Sequence, residues 1–231
     1  MIHPVTFSSA GLRRGAGTMV PLLPAVVVFA ATYGFVARQQ GLSVLETVAM
    51  SALVFAGAAQ MVAVQLWQHP PPLVELTVAA AVVNLRYLIM APVLKDWLAP
   101  LGGVRTYASL FLTTDENWAV SVAEMRRGGR DAAFFVGSGL ALWVPWVLFS
   151  AVGRLGGGLI PATEPYGLDF IGTAVFLALL LPLWQGRRSL LPWIAAAAAA
   201  LLAERLLAGA WYLLLGGLAG SLVGAAMHVR R

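Results

Sequence analysis

Apolar stretches long enough to cross a bilayer follow one another along most of the chain, separated by short polar or charged segments. A transmembrane helix needs about 20 mostly apolar residues. The stretches that approach this length predict the spans Thr18–Ala37, Val44–Trp67, Leu73–Leu94, Ala132–Gly153, Leu168–Trp184, Ser189–Ala203 and Leu206–Met227. This pattern predicts an all-α fold, a polytopic integral membrane bundle of about seven or eight transmembrane helices.

A further segment, Val104–Val122, is apolar at both ends but polar in the middle, so hydropathy alone does not decide whether it crosses. Lys and Arg beside a span favour the cytoplasmic side of the membrane. If this segment crosses, the side of the N-terminus carries Arg13, Arg14, Arg126, Arg127, Arg130, Arg187, Arg188, Arg230 and Arg231. The opposite side then carries Arg38, Lys95, Arg105, Arg154 and Arg205. This partition favours a crossing segment and predicts that both termini lie in the cytoplasm.

The composition agrees with a membrane protein and excludes several other classes. Of the 231 residues, 60% are hydrophobic and 11% are charged, which lies outside the usual range of soluble domains. The net charge of +5 comes from basic residues scattered between apolar runs, so no basic face for nucleic acid is expected. The sequence has no cysteine, which excludes disulfides and thiolate chemistry. We expect one transmembrane domain, residues 1–231.

Motifs of enzymes and cofactor sites are missing from the sequence. It contains no P-loop, no dinucleotide fingerprint, no H-E-x-x-H and no G-x-S-x-G. The histidines, His3, His69 and His228, are far apart and lack the spacing of a metal site. We therefore expect no enzyme activity, no cofactor and no metal.

The third predicted span carries a charge near its middle, at Arg86, with Asn84 and Tyr87 close by. A charge at the bilayer centre costs about 2.5–3.5 kcal/mol on insertion scales, so it needs a partner, water or a function. On a helix, Asn84 and Tyr87 would share a face, whereas Asn84 and Arg86 would not. Arg86 is therefore half of a structural ion pair, a fixed cation for a substrate carboxylate, or a contact to a lipid headgroup.

Asp115 and Glu116, in the polar middle of Val104–Val122, are the candidate counter-charges for Arg86. Adjacent positions on a helix diverge by about 100°, so at most one of them can meet Arg86 directly. The other acid is then available for a substrate ammonium group or a proton, as intramembrane carboxylates in transporters commonly are. Alternatively, the segment lies at the membrane interface and both acids are solvated.

The second predicted span is narrow at Ala56–Ala59, where small residues follow one another. Such a segment permits close helix packing or leaves room for a ligand. Gly57 and Gln60 share a helix face, and Ser51 lies earlier on the same span. These three residues are candidates for the lining of a substrate cavity.

The first predicted span contains Pro21, Pro24 and Gly34, which are typical of a bent or interrupted helix. Broken helices in transporters present free backbone groups to their substrates. Gly34 is therefore a further candidate for substrate binding.

Two weaker patterns concern assembly and duplication. Gly216, Gly220 and Gly224 are spaced by four in the last span, which permits close helix packing within the chain or with a second subunit. The segments Leu42–Ala49 and Leu168–Val175 resemble each other, which suggests a weak internal repeat of the kind found in transporters.

The polar motifs together resemble those of the AzlC-type branched-chain amino acid permeases, the large subunit of a two-component exporter. The resemblance covers roughly Gly11 to Arg188, and the motifs have the same order and spacing. The matching pieces are Tyr33-Gly34 with Ala37, Gly41-Leu42-Ser43, Ser51 to Gln60, Asn84-Leu85-Arg86-Tyr87, Thr114-Asp115-Glu116 and Leu168-Asp169-Phe170.

The resemblance implies export of valine, leucine or isoleucine across the cytoplasmic membrane, together with a small AzlD-type membrane subunit. Because the sequence has no ATP-binding motif, we expect a secondary transporter driven by a gradient. In this hypothesis Arg86 and Asn84 bind the substrate carboxylate, and Asp115 or Glu116 binds the ammonium group or a proton. Gly34, Ser51, Gly57, Gln60 and Tyr87 complete the candidate site. The alternatives are a channel, a scaffold subunit of a membrane complex, or an exporter of another small solute.

Overall fold

The fold is helical throughout the residues that the structure, a computed structural model, describes: 5–157, 186–207 and 211–229. The helices are α1 Ser9–Met19, α2 Leu23–Gln39, α3 Val44–Leu53, α4 Gly57–Gln65, α5 Leu73–Asn84, α6 Arg86–Val93, α7 Lys95–Leu98, α8 Gly103–Phe111, α9 Asp115–Arg126, α10 Ala133–Gly156, α11 Arg187–Leu206 and α12 Trp211–Val229. Within these described ranges the only β pairing is an isolated bridge between Thr6 and Asp131. The predicted all-α fold class is confirmed.

Two helical runs in the described residues are long and apolar enough to cross a membrane. The first is Ser9–Gln39 and the second is Ala133–Gly156. A third candidate is a bent pair, Leu73–Asn84 with Arg86–Val93, which reaches the required length only when both helices are counted. Shorter apolar helices include Val44–Leu53 and Leu215–Met227. This architecture is that of a helical membrane protein.

The long first helix is interrupted near Pro21, but it is not interrupted at Gly34. Residues Val20–Leu22 form a 3₁₀ turn between α1 and α2, and α2 then continues without a break to Gln39. The expected interruption of the first span is therefore found at Pro21, and Gly34 marks no break. A Cβ at Gly34 would lie 2.0 Å from the carbonyl oxygen of Ser150, so this glycine permits close packing between α2 and α10.

Helix α10 is the centre of the first packed unit and contacts α1, α2, α3 and α9. At its contacts with α1 and α2, each of the two helices in contact contributes a glycine. A Cβ at Gly15, Gly137 or Gly153 would lie 2.0 Å from a backbone carbonyl oxygen of the neighbouring helix. Such close approach of backbones is the usual way in which membrane helices pack.

Three predicted spans are interrupted where a continuous helix was expected. Val44–Trp67 is divided at residues 54–56, Leu73–Leu94 at Leu85, and Val104–Val122 at residues 112–114. The pair α5 and α6 is bent by 42° at this point, so the face predicted for Asn84 and Tyr87 on one continuous helix stays a prediction. Each interruption falls within or beside one of the polar motifs.

The described residues form two compact units. The first unit is Met1–Gln60 with Asn84–Pro161, and the second is Met61–Val83 with Ala162–Arg231. In the second unit α11 packs against α12, where Gly216 and Gly220 face Ala196 and Ala200. Two glycines of the last span therefore serve packing within the chain. The prediction of a single domain remains a prediction.

Some sequence predictions concern residues outside the described ranges. These are the span Leu168–Trp184 and the second half of the proposed repeat, Leu168–Val175.

Candidate functional site

The candidate site is built around two of the helix interruptions, those before α6 and before α9. Arg86 is the first residue of α6 and Asp115 is the first residue of α9. The Nη1 atom of Arg86 lies 2.8 Å from Oδ2 of Asp115. One of the two predicted acids thus meets Arg86, whereas Glu116 forms no ion pair with any described residue.

A hydrogen-bonded cap fixes the start of α9. The side chain of Thr114 accepts from the backbone N–H of Asn117, and Oδ1 of Asn117 accepts from the N–H of Thr114 at 2.8 Å. Asn117 is fully buried, and its Nδ2 donates to the carbonyl of Leu112 at 2.8 Å. This reciprocal cap ends the preceding turn and orients the first residue of α9, Asp115.

Side-chain contacts join α6 to α9 with their N-termini at the same end. The evidence is two contacts one turn apart: Arg86 with Asp115, and the indole N–H of Trp118 with the carbonyl of Met90 at 2.9 Å. The ion pair therefore joins the N-termini of two neighbouring helices. It is partly open, because the side chains of Arg86 and Asp115 are 38% and 49% exposed.

Two polar atoms at this junction have no hydrogen-bond partner among the described residues. They are Nε of Arg86 and Oδ1 of Asn84, and both atoms are buried. Buried polar atoms in native proteins are usually paired with protein, water or ligand. The guanidinium of Arg86 also lies over the ring of Tyr87, 5.2 Å from its centre, a cation–π distance.

A second cluster in the same unit surrounds Gln60, which is 1% exposed. Gln60 Nε2 donates to the hydroxyl of Ser51 at 3.2 Å, and Ser51 donates to the hydroxyl of Ser150 at 2.9 Å. Ser150 donates to the carbonyl of Trp146 at 2.7 Å, and the Trp146 indole donates to Oε1 of Gln60 at 3.0 Å. This closed ring, named here the Gln60 ring, connects α3, α4 and α10.

Aromatic side chains fill the space around the Gln60 ring. The indole of Trp146 stacks on Tyr33 at 5.9 Å and meets the edge of Phe29 at 5.2 Å. A Cβ at Gly57 would lie 2.8 Å from the Trp146 ring, so Gly57 makes room for the indole. In this structure Gly34, Ser51, Gly57 and Gln60 line a packed interior.

The interruption between α3 and α4 contains a strained residue. Phe55 has φ of +42° although it is not glycine, and it is 5% exposed. Backbone strain of this kind costs of order 1–3 kcal/mol and clusters at functional sites. The Phe55 ring lies 6.2 Å from that of Phe111, the last residue of α8. Two of the three interruptions are thus in aromatic contact.

The sequence model of one family, described as AzlC protein, matches residues 21–160. This range includes the Gln60 ring and the junction of Arg86 with Asp115. The chain belongs to the AzlC family. No solved structure matches the chain.

Relatives in this family include membrane proteins of archaea and bacteria. An uncharacterized membrane protein of Archaeoglobus fulgidus is 34% identical over 78% of this chain and 78% of its own length. Inner membrane protein YgaZ of Escherichia coli is 28% identical over 79% of this chain and 77% of its own. The branched-chain amino acid transport protein AzlC of Bacillus subtilis is 23% identical over 76% of this chain and 69% of its own. The chain is thus a membrane protein of a family that includes an amino acid transport protein.

Sequence reasoning missed three residues of this AzlC-family site. Two of them, Trp146 and Ser150, belong to the Gln60 ring. No local pattern connects them to Gln60, since they lie about ninety residues away. Asn117 was also missed, although Thr114 followed three residues later by a side-chain amide is the spacing of a capping box.

The described residues contain no group of three or more His, Asp or Glu that could hold a metal ion.

Proposed function

We propose that this AzlC-family protein transports branched-chain amino acids across the cytoplasmic membrane as a gradient-driven exporter. Membership of the family and the name of the Bacillus subtilis relative support this class of substrate. The main support for the proposal is the junction of Arg86 with Asp115. There Nε of the guanidinium is a buried hydrogen-bond donor that has no partner among the described residues.

The substrate carboxylate binds Arg86 on the edge formed by Nε and Nη2. A guanidinium can grip a carboxylate with two parallel hydrogen bonds along this edge. Asp115 contacts Nη1, which is not part of that edge, and Nε has no partner among the described residues. Arg86 can therefore hold Asp115 and a substrate carboxylate at the same time. Asp115 acts as the support that orients the guanidinium.

The substrate ammonium group binds acceptors at the same junction. Oδ1 of Asn84 is buried and unpartnered among the described residues, and it is an acceptor. Glu116 is exposed beside Asp115 and forms no ion pair within the described part of the chain. This assignment gives Asn84 the ammonium group in place of the carboxylate, because its unpartnered buried atom is an oxygen, which accepts hydrogen bonds and cannot donate one to a carboxylate.

The Gln60 ring supports the site by holding α3 and α4 on either side of their interruption. Gly34 and Gly57 permit this packing, and Tyr87 supports the guanidinium through its ring. Export is coupled to a proton through Asp115 or Glu116, and a small AzlD-type membrane subunit acts with this chain. Both termini lie in the cytoplasm.

Export of labelled valine tests the role of Arg86, in cells that lack their own exporters. Arg86→Lys keeps the positive charge but loses the planar fork. Because a hydrogen bond to a charged group is worth about 1.5–3 kcal/mol, we expect half-saturation to require about ten- to a hundredfold more valine.

Arg14→Lys is the matched control, because Arg14 forms the other ion pair described, with Glu124 at 3.8 Å. We expect export by this variant to remain close to the parent. Unchanged export kinetics in an inserted Arg86→Lys variant would contradict the carboxylate role.

A scaffold subunit is the second candidate, because the Arg86–Asp115 pair also joins two helices without any substrate. Saturable export of labelled valine, reduced by competition from unlabelled leucine, supports a transporter. Absence of any flux from the inserted protein, with and without a small membrane subunit, supports a scaffold.

A further inference from the structure

An apolar cleft of about 430 Å³ lies beside α8, apart from the Arg86–Asp115 junction. Its lining comes from α8, from the turns on either side of α8, from α10 and from the N-terminal segment. Phe7 and Arg105 line the same cavity, so the charge partition that placed Arg105 on the side opposite the N-terminus is wrong. The apolar residues that line it are Phe7, Leu101, Ala108, Leu112 and Val136. Leu101 and Val136 also pack against the buried cluster that contains Trp97 and Phe135. Part of the cleft wall is therefore formed by apolar side chains that are packed against the core.

One positive charge borders this cleft. Arg105 lines it, is exposed, and its guanidinium has no ion pair or hydrogen bond with any described residue. Ser109 also lines the cleft, but its hydroxyl already donates to the carbonyl of Arg105 at 2.8 Å. The cleft thus combines apolar walls with one cation that lacks a counter-ion among the described residues.

The outer face of α8 is apolar and open. Val104 is 83% exposed and Tyr107 is 75% exposed. In a membrane protein such a face contacts lipid, and tyrosine collects near the headgroups. Arg105 lies between Val104 and Tyr107 in the sequence, so its guanidinium belongs to this headgroup-level part of α8.

The chemistry of the lining selects the kind of ligand. A zwitterionic amino acid needs an acceptor for its ammonium group, and no described residue that lines the cleft is acidic. An apolar chain with an anionic head satisfies both the walls and Arg105. We propose that this cleft binds an acyl chain of an anionic phospholipid, with the lipid phosphate on the guanidinium of Arg105.

Native mass spectrometry of the purified, full-length protein tests this proposal, with phosphatidylglycerol and phosphatidylcholine as probes. We expect the parent to retain phosphatidylglycerol in preference to phosphatidylcholine. Arg105→Gln should lower retention of phosphatidylglycerol about fivefold, which corresponds to one basic side chain near a membrane surface. It should lower retention of phosphatidylcholine less, because the choline group already offsets the charge of that lipid's phosphate. Arg105→Lys should keep the preference, because a point charge suffices for a phosphate.

Two further variants separate this site from general surface charge. Arg38→Gln removes an exposed arginine at the end of α2, outside the cleft, and should leave the preference intact. Ala108→Phe places a ring in the cleft and should lower retention of both lipids. Equal retention of phosphatidylglycerol by the parent and Arg105→Gln overturns the proposal. The proposal is also overturned if Arg38→Gln loses as much phosphatidylglycerol as Arg105→Gln does. Full retention of both lipids by Ala108→Phe overturns it as well.

Discussion

Arg86 begins a helix, which is an unfavourable position for a cation. The free N–H groups of the first turn carry partial positive charge, so an anion is stabilised there and a cation is not. Asp115 begins α9 and is favoured in the corresponding position. The ion pair between them offsets the unfavourable position of Arg86 and leaves its Nε without a partner among the described residues. An arginine kept in this position is better explained by a ligand than by helix stability.

Gln60 has a different role from Arg86, because its side-chain amide is already bonded on both sides. It donates to Ser51 and accepts from Trp146 in a buried ring. We expect Gln60→Leu to lower the free energy of unfolding by about 1–3 kcal/mol, because the Trp146 indole N–H is left buried without an acceptor. Heating the detergent-solubilised protein and following its monodisperse fraction measures this loss.

Gln65→Leu is the matched control, since Gln65 ends the same helix and is exposed. This variant should unfold at the temperature of the parent. Equal stability of Gln60→Leu and the parent would show that the ring adds nothing to the packing of α3, α4 and α10.

Helices were predictable as apolar runs, but their interruptions were not. Hydropathy is averaged over about 19 residues, so a break of one to three residues does not appear in it. Val54, Phe55 and Ala56 are apolar and include neither glycine nor proline, so the break before α4 has no local signal. It depends on contacts with α10, which lies about ninety residues further along the chain.

The break before α9, like the turn at Pro21, is signalled by the sequence. Thr114 and Asn117 have the spacing of a capping box, and Ser43 and Glu46 form the same motif at the start of α3. The pairing of Arg86 with one of two adjacent acids also followed from helix geometry. The identity of that acid could not be predicted, because it depends on how α6 and α9 are placed relative to each other.

The cap at Thr114 should affect transport as well as stability. We expect Thr114→Ala to lower the free energy of unfolding by about 0.5–2 kcal/mol and to lower valine export, because Asp115 is no longer held in place. Ser43→Ala removes the other capping box and should cost similar stability with export retained. Thermal unfolding and export of the two variants, measured in parallel, check this difference. Equal export by both variants would contradict a specific role for the cap before α9.

At the scale of the whole molecule, the candidate site belongs to one of the two packed units. All of the candidate site residues, from Gly34 to Glu116, lie in the first unit. The family match ends at residue 160, so α11 and α12 lie beyond it, and both belong to the second unit. Transport by this protein is therefore expected to depend on the first unit, and above all on the cation at Arg86.

Exchange of the two charges tests that central claim most directly. The double variant Arg86→Asp with Asp115→Arg keeps an ion pair between α6 and α9 but moves the guanidinium to the other helix. We expect each single variant to lower the amount of folded protein and the double variant to restore it. Export of labelled valine by the folded double variant should stay at background, because the carboxylate site has lost its cation. Valine export restored to the level of the parent would contradict the account.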